Sequence, residues 1–549
     1  LFDNSTAESN SVIPKPKSVR ADDGRFVLRP STIILADTNA QSAAKLLADT
    51  IGRSTGYPQS ILNAGLIQSE SNAICMSMSD SDAFGDEGYK LAITPDSVTI
   101  LAGSHAGLLY GTHTLLQLLP PEILSKEPLS PREWTVPCCV IEDMPRFVWR
   151  GAMLDVVRHF MPLAFLKKLV DVLALHKLNR LHLHLTDDQG WRLEIPKYPL
   201  LTEVGAYRRA TVVGPCPCGP ADLGFDADSI QLDGQPHGGF YTQAEMRELV
   251  KYASERNVMI VPEIDIPGHA QAIVAAYPQF GCVDGPVEVS PLWGIHSFVI
   301  NPEERTFQFL EDIFADVVDI FPSPYIHIGG DEVVKDQWRA DPGTQRRMRE
   351  LGIADESKLH SYFVTRMSRF LTAKGRRLVG WDEILEGNQA STDAGDYCLA
   401  ADAVVMSWRG VEGGLEAARS GRDAIMAPHR TTYLNYYQST KEDEEPLAFP
   451  RVTLLDSVYG YDPVPGELRV EEREKIMGLQ GQLWTEYVPT TDNAEYMLFP
   501  RFAAIAEVAW SPIDDRDFED FLRRLAVHEK RLDAFDVNYH RLARVATVT

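Results

Sequence analysis

Two adjacent carboxylates, Asp331 and Glu332, close the stretch His327-Ile328-Gly329-Gly330-Asp331-Glu332-Val333. The apolar run Pro324-Tyr325-Ile326 before it reads as a buried strand. The two glycines let the backbone bend and approach another group closely. Parallel-sheet enzymes place chemistry where a strand passes into a loop. Alone, an Asp-Glu pair is more often a solvated turn, here one before a helix through Gln337 and Trp338. Its company argues otherwise. Other strand-like runs end in Asp155 with Arg158, Asp187-Asp188, Asp265 with His269, Trp381-Asp382, Trp408, Tyr433-Leu434-Asn435 and Trp484-Thr485-Glu486. In one parallel barrel all of these crowd a single mouth. Carboxylates among tryptophans suit a sugar: aromatic faces stack on the C–H faces of a pyranose while charged groups hold its hydroxyls.

The adjacency of the two acids constrains the chemistry. A retaining glycosidase with a protein nucleophile holds its two carboxyls about 5 Å apart on opposite sides of the bond it cleaves. Neighbouring residues are poorly placed for that. One of them can protonate the leaving oxygen, and the other then lies beside the substituent on the next ring carbon. If that substituent is an acetamido group, its carbonyl can be the nucleophile and the second carboxylate can orient its N–H. Intramolecular attack lowers the barrier by up to about 7–11 kcal/mol. His182-x-His184 puts two imidazoles on one strand face, a pattern shared with some metal hydrolases. No Lys or further His pair completes such a site, so the expectation is no metal, no cofactor and a structural role for these histidines. His269, with carboxylates on either side, is placed to tune the acid.

The elements that must position these residues alternate along the chain. Strand-like runs are 151–155, 181–185, 258–264, 325–328, 377–381, 403–408, 423–427 and 477–484. Helical patterns separate most of them, at 162–176, 242–256, 303–320, 358–374, 411–420 and 493–509. Eight strands with intervening helices predict an α/β fold, a (β/α)8 TIM barrel over residues 146–512. A doubly wound sheet would carry a Gly-rich phosphate turn after its first strand, and none is present. Residues 1–145 mix strands and helices and predict a small α+β domain. Within it, 89–94 and 97–101 pair as a hairpin across Pro95-Asp96. The Pro-rich stretch 120–146 reads as a loop. Residues 513–549 predict a C-terminal helical extension packed on the barrel.

The totals exclude other classes of function. The 549 residues carry 53 Lys and Arg against 78 Asp and Glu, a formal net charge of −25. That argues against a nucleic-acid surface and against adhesion to anionic lipid. No window approaches 18 consecutive apolar residues, so no spanning helix is predicted. Seven cysteines are an odd number, which leaves at least one unpaired. Cys216 and Cys218 in one loop and Cys282 in another are the candidates for a disulfide, and C-x-C with one distant Cys lacks zinc-ligand spacing.

In combination the motifs closely resemble the β-N-acetylhexosaminidases of glycoside hydrolase family 20. The matching stretches are 149–160, 182–191, 263–269, 327–333, 380–384, 408–410, 433–438 and 481–486, in the family's order across nearly all of the barrel. The segment before Arg146 resembles the family's small α+β domain. The resemblance implies retaining hydrolysis of terminal, non-reducing β-linked N-acetylglucosamine or N-acetylgalactosamine, without a metal. It implies that Glu332 is the general acid and then the base, and that Asp331 orients the acetamido group and stabilises an oxazolinium intermediate. Tyr433 would hydrogen-bond the acetamido oxygen, and Arg150 and Glu486 would hold ring hydroxyls. Trp484 would lie under the ring, Trp381 and Trp408 would wall the acetyl pocket, and Asp187 with His269 would form a relay to Glu332. One departure stands out: many relatives carry Asp where this chain has Asn435, which opens the preference among glucosamine, galactosamine and 6-substituted sugars. The implied partner is an oligosaccharide or small glycoside, with no nucleic acid and no membrane span, for a monomer or homodimer. The substrate class and the first residue, Leu1, predict a periplasmic or secreted protein. Two alternatives stay open, a non-catalytic glycan-binding protein and a family member specialised for releasing a disaccharide.

Overall fold

Eight parallel strands close into a barrel in sequence order. They are β1 (Trp149–Asp155), β2 (Arg180–His184), β3 (Met259–Glu263), β4 (Tyr325–His327), β5 (Arg377–Trp381), β6 (Val404–Ser407), β7 (Ala424–Met426) and β8 (Ile476–Leu483). A computed structural model describes residues 11–542 apart from 64–71, 80–83, 130–131, 216–229 and 387–398. Both faces of each strand are covered, so these strands are rich in apolar residues on both sides. Alternation persists as a choice between two apolar layers. Val261, Val379, Trp381, Val404, Met406 and Ile425 point into the barrel. Ile260, Leu378 and Val405 point out under the helices.

The outer helices follow the predicted positions closely: Leu163–Leu175, Gln243–Ser254, Glu304–Ile320, Glu356–Ala373 and Glu412–Arg419. Thr242 and Glu245 form a capping box at the start of the second of these, each side chain accepting from the other's backbone N–H. The helix expected over 493–509 is two helices, Thr491–Leu498 and Arg501–Trp510, divided at Phe499-Pro500. Pro500 has no N–H to continue the ladder. Between β7 and β8 the crossover is made of short helices and a two-stranded parallel sheet, Tyr436–Tyr437 with Phe449–Val452. This departure from a plain α-helical return keeps a long segment at the mouth of the barrel.

The N-terminal unit is a seven-stranded mixed sheet with helices Gln41–Thr55 and His105–Leu118. Its strand Trp134–Asp143 corrects the loop expected over 120–146. The prolines suggested a loop, yet this strand pairs on both sides, with Ser18–Leu28 and with Tyr89–Ile93. Pro137 is accommodated where the register with the first strand shifts between Ala21 and Arg25. The sheet is joined to the barrel by buried charge. Lys177 Nζ lies 2.7 Å from Asp143 Oδ2, with both side chains fully buried. Trp510 Nε1 donates to Asp143 Oδ1 at 2.8 Å. The C-terminal helix Phe518–Ala534 packs on the barrel through Arg524, which donates to both oxygens of Glu507 at 2.6 Å. Among the described residues no helix is long and apolar enough to cross a membrane. Cys216 and Cys218 lie outside the described residues; Cys282 is a free thiol 3.5 Å from Thr344 Oγ1.

Candidate active site

At the C-terminal end of the barrel a cavity of about 430 Å³ opens between the strand-end loops. Ten of the eleven residues singled out in the sequence line it: Asp331, Glu332, Tyr433, Asp187, His269, Trp381, Trp408, Asn435, Trp484 and Glu486. Arg150 does not, and the expectation that it holds substrate is corrected here. It is the second residue of β1 and lies at the opposite end of the barrel. Its guanidinium donates to both oxygens of Glu87 at 2.8 Å, to Phe147 O at 2.7 Å and to Tyr110 Oη at 2.8 Å. These partners tie the barrel to the N-terminal unit. The arginine that reaches the cavity from this part of the chain is Arg158, three residues beyond the end of β1. Its position past a strand end was the signal that separates the two.

The loop carrying the acid pair has a left-handed backbone at three positions: Gly329 (φ 68°), Gly330 (φ 91°) and Glu332 (φ 51°). A Cβ on Gly329 would fall 1.7 Å from Asp265 Oδ1, the same oxygen that accepts the Gly330 N–H at 3.2 Å. The double glycine therefore serves both close approach and turn geometry. His269 is also left-handed, at φ 45°. Two non-glycine residues in this region, each costing of order 1–3 kcal/mol, flank one cavity, as is common where geometry serves function.

A chain of hydrogen bonds runs from the barrel core to Glu332. Glu263, at the end of β3, is fully buried and accepts from Trp381 Nε1 at 2.8 Å and His184 Nδ1 at 2.6 Å. His184 Nε2 donates to Asp187 Oδ2 at 2.9 Å. His269 Nδ1 lies 3.1 Å from both Asp187 Oδ1 and Asp188 Oδ2, and its Nε2 is 3.5 Å from Glu332 Oε2 and 3.8 Å from Asp331 Oδ2. Burial disfavours the charged imidazole of His184, yet Glu263 and Asp187 outweigh it and hold His184 up at about 10. Burial is likewise overcome at His269, which Asp187 and Asp188 hold well above the ordinary range. Asp187 is held well below the usual carboxylate range, burial being outweighed by Arg158, 2.6 Å away, and His269. The line is thus one of alternating charge, carboxylate to imidazolium to carboxylate to imidazolium, ending on Glu332. His184, read from the sequence only as structure, and Glu263 are its inner members.

Asp331 behaves differently from its neighbour. It is buried, and its Oδ1 has no hydrogen-bond partner. Burial, with the charges of Glu383, Glu332 and Glu263, raises it to about 8 against the opposing pull of His269. Asn435 Oδ1 and Glu486 Oε2 are two more buried oxygens without a partner, both on residues of the cavity wall. Unpaired buried acceptors converging on one space mark where a polar ligand's donors belong. The aromatic walls are fixed from behind. Trp381 hangs from Glu263, and Trp408 Nε1 donates to Glu383 Oε2 at 3.1 Å. Trp408 and Tyr433 stack with centroids 6.2 Å apart and planes at 16°. Tyr433 is set by the backbone bond from Leu434 N to Gln482 O at 2.7 Å.

Groups of His, Asp and Glu close enough to hold a cation occur here, among them His182, Glu263 and His327. Their atoms bond to one another: Glu263 Oε1 lies 2.9 Å from His327 Nδ1, and Gln480 Nε2 donates to His182 Nδ1 at 3.0 Å. Burial lowers His182 to about 4, against the opposing pull of Glu263.

Comparison with known proteins gives a consistent picture. The model described as "Glycosyl hydrolase family 20, catalytic domain" matches residues 147–513, and "Glycosyl hydrolase family 20, domain 2" matches residues 9–144. A β-hexosaminidase of Porphyromonas gingivalis is 40% identical over 534 residues; the match covers 96% of this chain, and the chain spans 64% of that relative's length. A β-N-acetylhexosaminidase of Cellulomonas fimi is 32% identical over 549 residues, covering 98% of this chain and 97% of that one. Among solved structures, an exo β-N-acetylglucosaminidase of Vibrio harveyi in complex with N-acetylglucosamine superposes with a TM-score of 0.81 at 33% identity, covering 97% of this chain and 78% of that one.

Proposed function

The chain belongs to glycosyl hydrolase family 20, and we propose that it removes terminal, non-reducing β-linked N-acetylglucosamine or N-acetylgalactosamine by substrate-assisted, retaining hydrolysis. The observation that carries the mechanism is the unequal pair: Glu332 stands at the end of a charged relay, while Asp331 is buried and offers an unpaired oxygen. Glu332, whose side chain keeps 24% of its exposure, reaches the side from which a leaving group departs. It protonates the glycosidic oxygen and later takes a proton from water. His269 and Asp187 hold it in place. The acetamido group lies between Trp381, Trp408 and Tyr433. Its N–H meets Asp331, its carbonyl oxygen meets the Tyr433 hydroxyl, and that oxygen attacks the anomeric carbon as the leaving group departs. The oxazolinium that results carries positive charge beside Asp331. Trp484 underlies the ring, and Arg158 and Glu486 hold its hydroxyls. The β-hexosaminidase and β-N-acetylhexosaminidase names of the relatives and the bound N-acetylglucosamine of the Vibrio harveyi structure support this reading. Glycans bearing such termini are met outside the cytoplasm, which supports a periplasmic or secreted location.

The test is hydrolysis of an aryl N-acetyl-β-glucosaminide followed by NMR. The first-formed sugar is expected to be the β-anomer, and a thiazoline analogue of the oxazoline is expected to inhibit at micromolar levels. Appearance of the α-anomer first, or indifference to millimolar thiazoline, contradicts substrate assistance.

The two arginines give a second check. Arg150→Ala leaves Glu87 without its cation at the domain junction and is expected to lower stability by about 3–5 kcal/mol. The KM of the folded variant should stay at the parent value. Arg158→Ala should instead raise KM several-fold, with thermal melts and initial rates read on the same samples. Equal KM effects would return Arg150 to the site.

A further inference from the structure

The loops that follow β4, β5 and β6 meet on one short turn. The 3-10 turn Asp382–Leu385 comes directly after β5. Asp382 Oδ2 accepts the backbone N–H groups of Trp408 at 2.9 Å and Arg409 at 2.8 Å, which fixes the chain beyond β6. Ile384 packs against the acid-pair loop: a Cβ on Gly330 would come within 2.9 Å of its Cγ2. Lys335 Nζ, just past that loop, lies 3.0 Å from Glu386 Oε2. Between these contacts stands Glu383, buried behind the residues that line the cavity.

Glu383 grips two working parts of the site at once. Its Oε2 accepts from Trp408 Nε1 at 3.1 Å, behind a wall of the acetamido pocket. Its Oε1 accepts the backbone N–H of Glu332 in a longer contact at 3.4 Å, at the residue whose φ of 51° aims the general acid. The same oxygen takes Arg409 Nη2 at 2.6 Å and Nε at 2.9 Å. Arg409 lies over Trp408, its guanidinium 5.3 Å from the ring centre, and keeps 58% of its side chain exposed at the rim. Burial raises Glu383, and Arg409 opposes this by its charge and its hydrogen bonds. After burial, the charge of Glu383 is the strongest influence raising Asp331, against His269.

We propose that Glu383 is a positioning residue for the reaction: it ties the Trp408 wall of the acetamido pocket to the backbone of the acid Glu332, with Arg409 as its counter-ion at the rim. The proposal rests on the activity described above and adds a residue that acts on the sugar only through its neighbours. The acetamido oxygen must meet the anomeric carbon while the acid meets the glycosidic oxygen, and a small displacement of either is costly. One buried carboxylate between the two elements sets their relative position. An amide cannot do the same, because its oxygen faces only one side. With Oε1 serving three donors, the amide nitrogen of Glu383→Gln falls on the Trp408 side and faces another N–H.

The test compares kcat/KM for aryl N-acetyl- and N-propionyl-β-glucosaminides across pH in the parent, Glu383→Gln, Trp408→Phe and the double variant, with melting temperatures read on the same samples. The extra methylene is expected to cost the parent about 10–200-fold. Glu383→Gln is expected to lower kcat/KM for the N-acetyl sugar by about tenfold, the effect of one hydrogen bond to a charged group. The N-propionyl sugar should lose clearly less, because the released Trp408 gives way to the larger acyl group. In the Trp408→Phe background, which has no N–H to face the amide, the same change should leave the acyl preference untouched. The acid limb of the pH profile should move to lower pH in Glu383→Gln, since Asp331 loses a charge that opposes its ionisation; a prop of the fold alone would not move it. Arg409→Gln, at an exposed position, removes the counter-ion and should weaken the acyl preference in the same direction, with Arg409→Lys restoring part of it. Equal losses for both acyl groups in Glu383→Gln overturn the proposal, while hydrolysis by the parent leaves the activity standing. If Glu383→Gln does not fold, an unchanged acyl preference in Arg409→Gln overturns it instead. A parent that hydrolyses neither glucosaminide removes the activity and the proposal together.

Discussion

Glu332→Gln is expected to lower kcat/KM for an N-acetyl-β-glucosaminide with a sugar leaving group by about 10²–10⁴-fold, the usual contribution of a positioned general acid. The amide keeps the size of the side chain and can still accept from His269, whose Nε2 lies 3.5 Å from Oε2. What it loses is the proton for the glycosidic oxygen. The loss should therefore depend on the leaving group. With a nitro-substituted phenol, which departs without protonation, formation of the oxazolinium should be far less impaired. The later attack by water still needs a base, so a burst of phenol before slow turnover is the expected signature. Stopped-flow traces with activated and unactivated substrates separate the two steps. Equal losses for both classes would mean that Glu332 only shapes the cavity. Near-normal turnover would remove it from the chemistry altogether.

The barrel was legible because each of its eight strands is an apolar run bounded by polar residues, and each was found within about two residues of its observed ends. The carboxylates and tryptophans at those ends were legible for the same reason, since strand direction decides which end of a parallel strand faces the mouth. Arg150 shows the limit. It is in the right motif but at the wrong end of its strand, and only the position of Glu87, 63 residues earlier, explains where its charge goes. His184 shows a related limit. A buried His on a strand looks structural until its two neighbours, Glu263 and Asp187, are seen to be carboxylates, one of them 79 residues away.

Asp331→Asn is expected to cost about 10²–10³-fold in kcat, comparable to loss of one preorganised group facing developing charge, while making the folded protein more stable at alkaline pH. Both effects have one cause. Asp331 is raised to about 8 by burial and by the charges of Glu383, Glu332 and Glu263, against His269. An unfolded Asp ionises near the ordinary value of about 3.9. The native state therefore binds a proton that the unfolded state releases, and the stability this gives is complete below about pH 4 and lost as pH rises towards 8. Asn carries no such proton and pays no such penalty, so the gap in melting temperature between Asp331→Asn and the parent should widen in the variant's favour from pH 4 to 8. Catalysis needs the opposite state. A carboxylate is required beside the oxazolinium, and the acetamido N–H, by donating to Asp331, favours the ionised form on binding. Asn can still accept that N–H but cannot answer the positive charge, so kcat should fall more than KM changes. In the parent, kcat/KM should lose an ionisation near pH 8 when Asp331 is replaced, read from full pH profiles of both proteins. Melting temperatures that move in parallel across this range would show that Asp331 is already ionised in the free enzyme, and an unchanged kcat in Asp331→Asn would place the orienting of the acetamido group elsewhere.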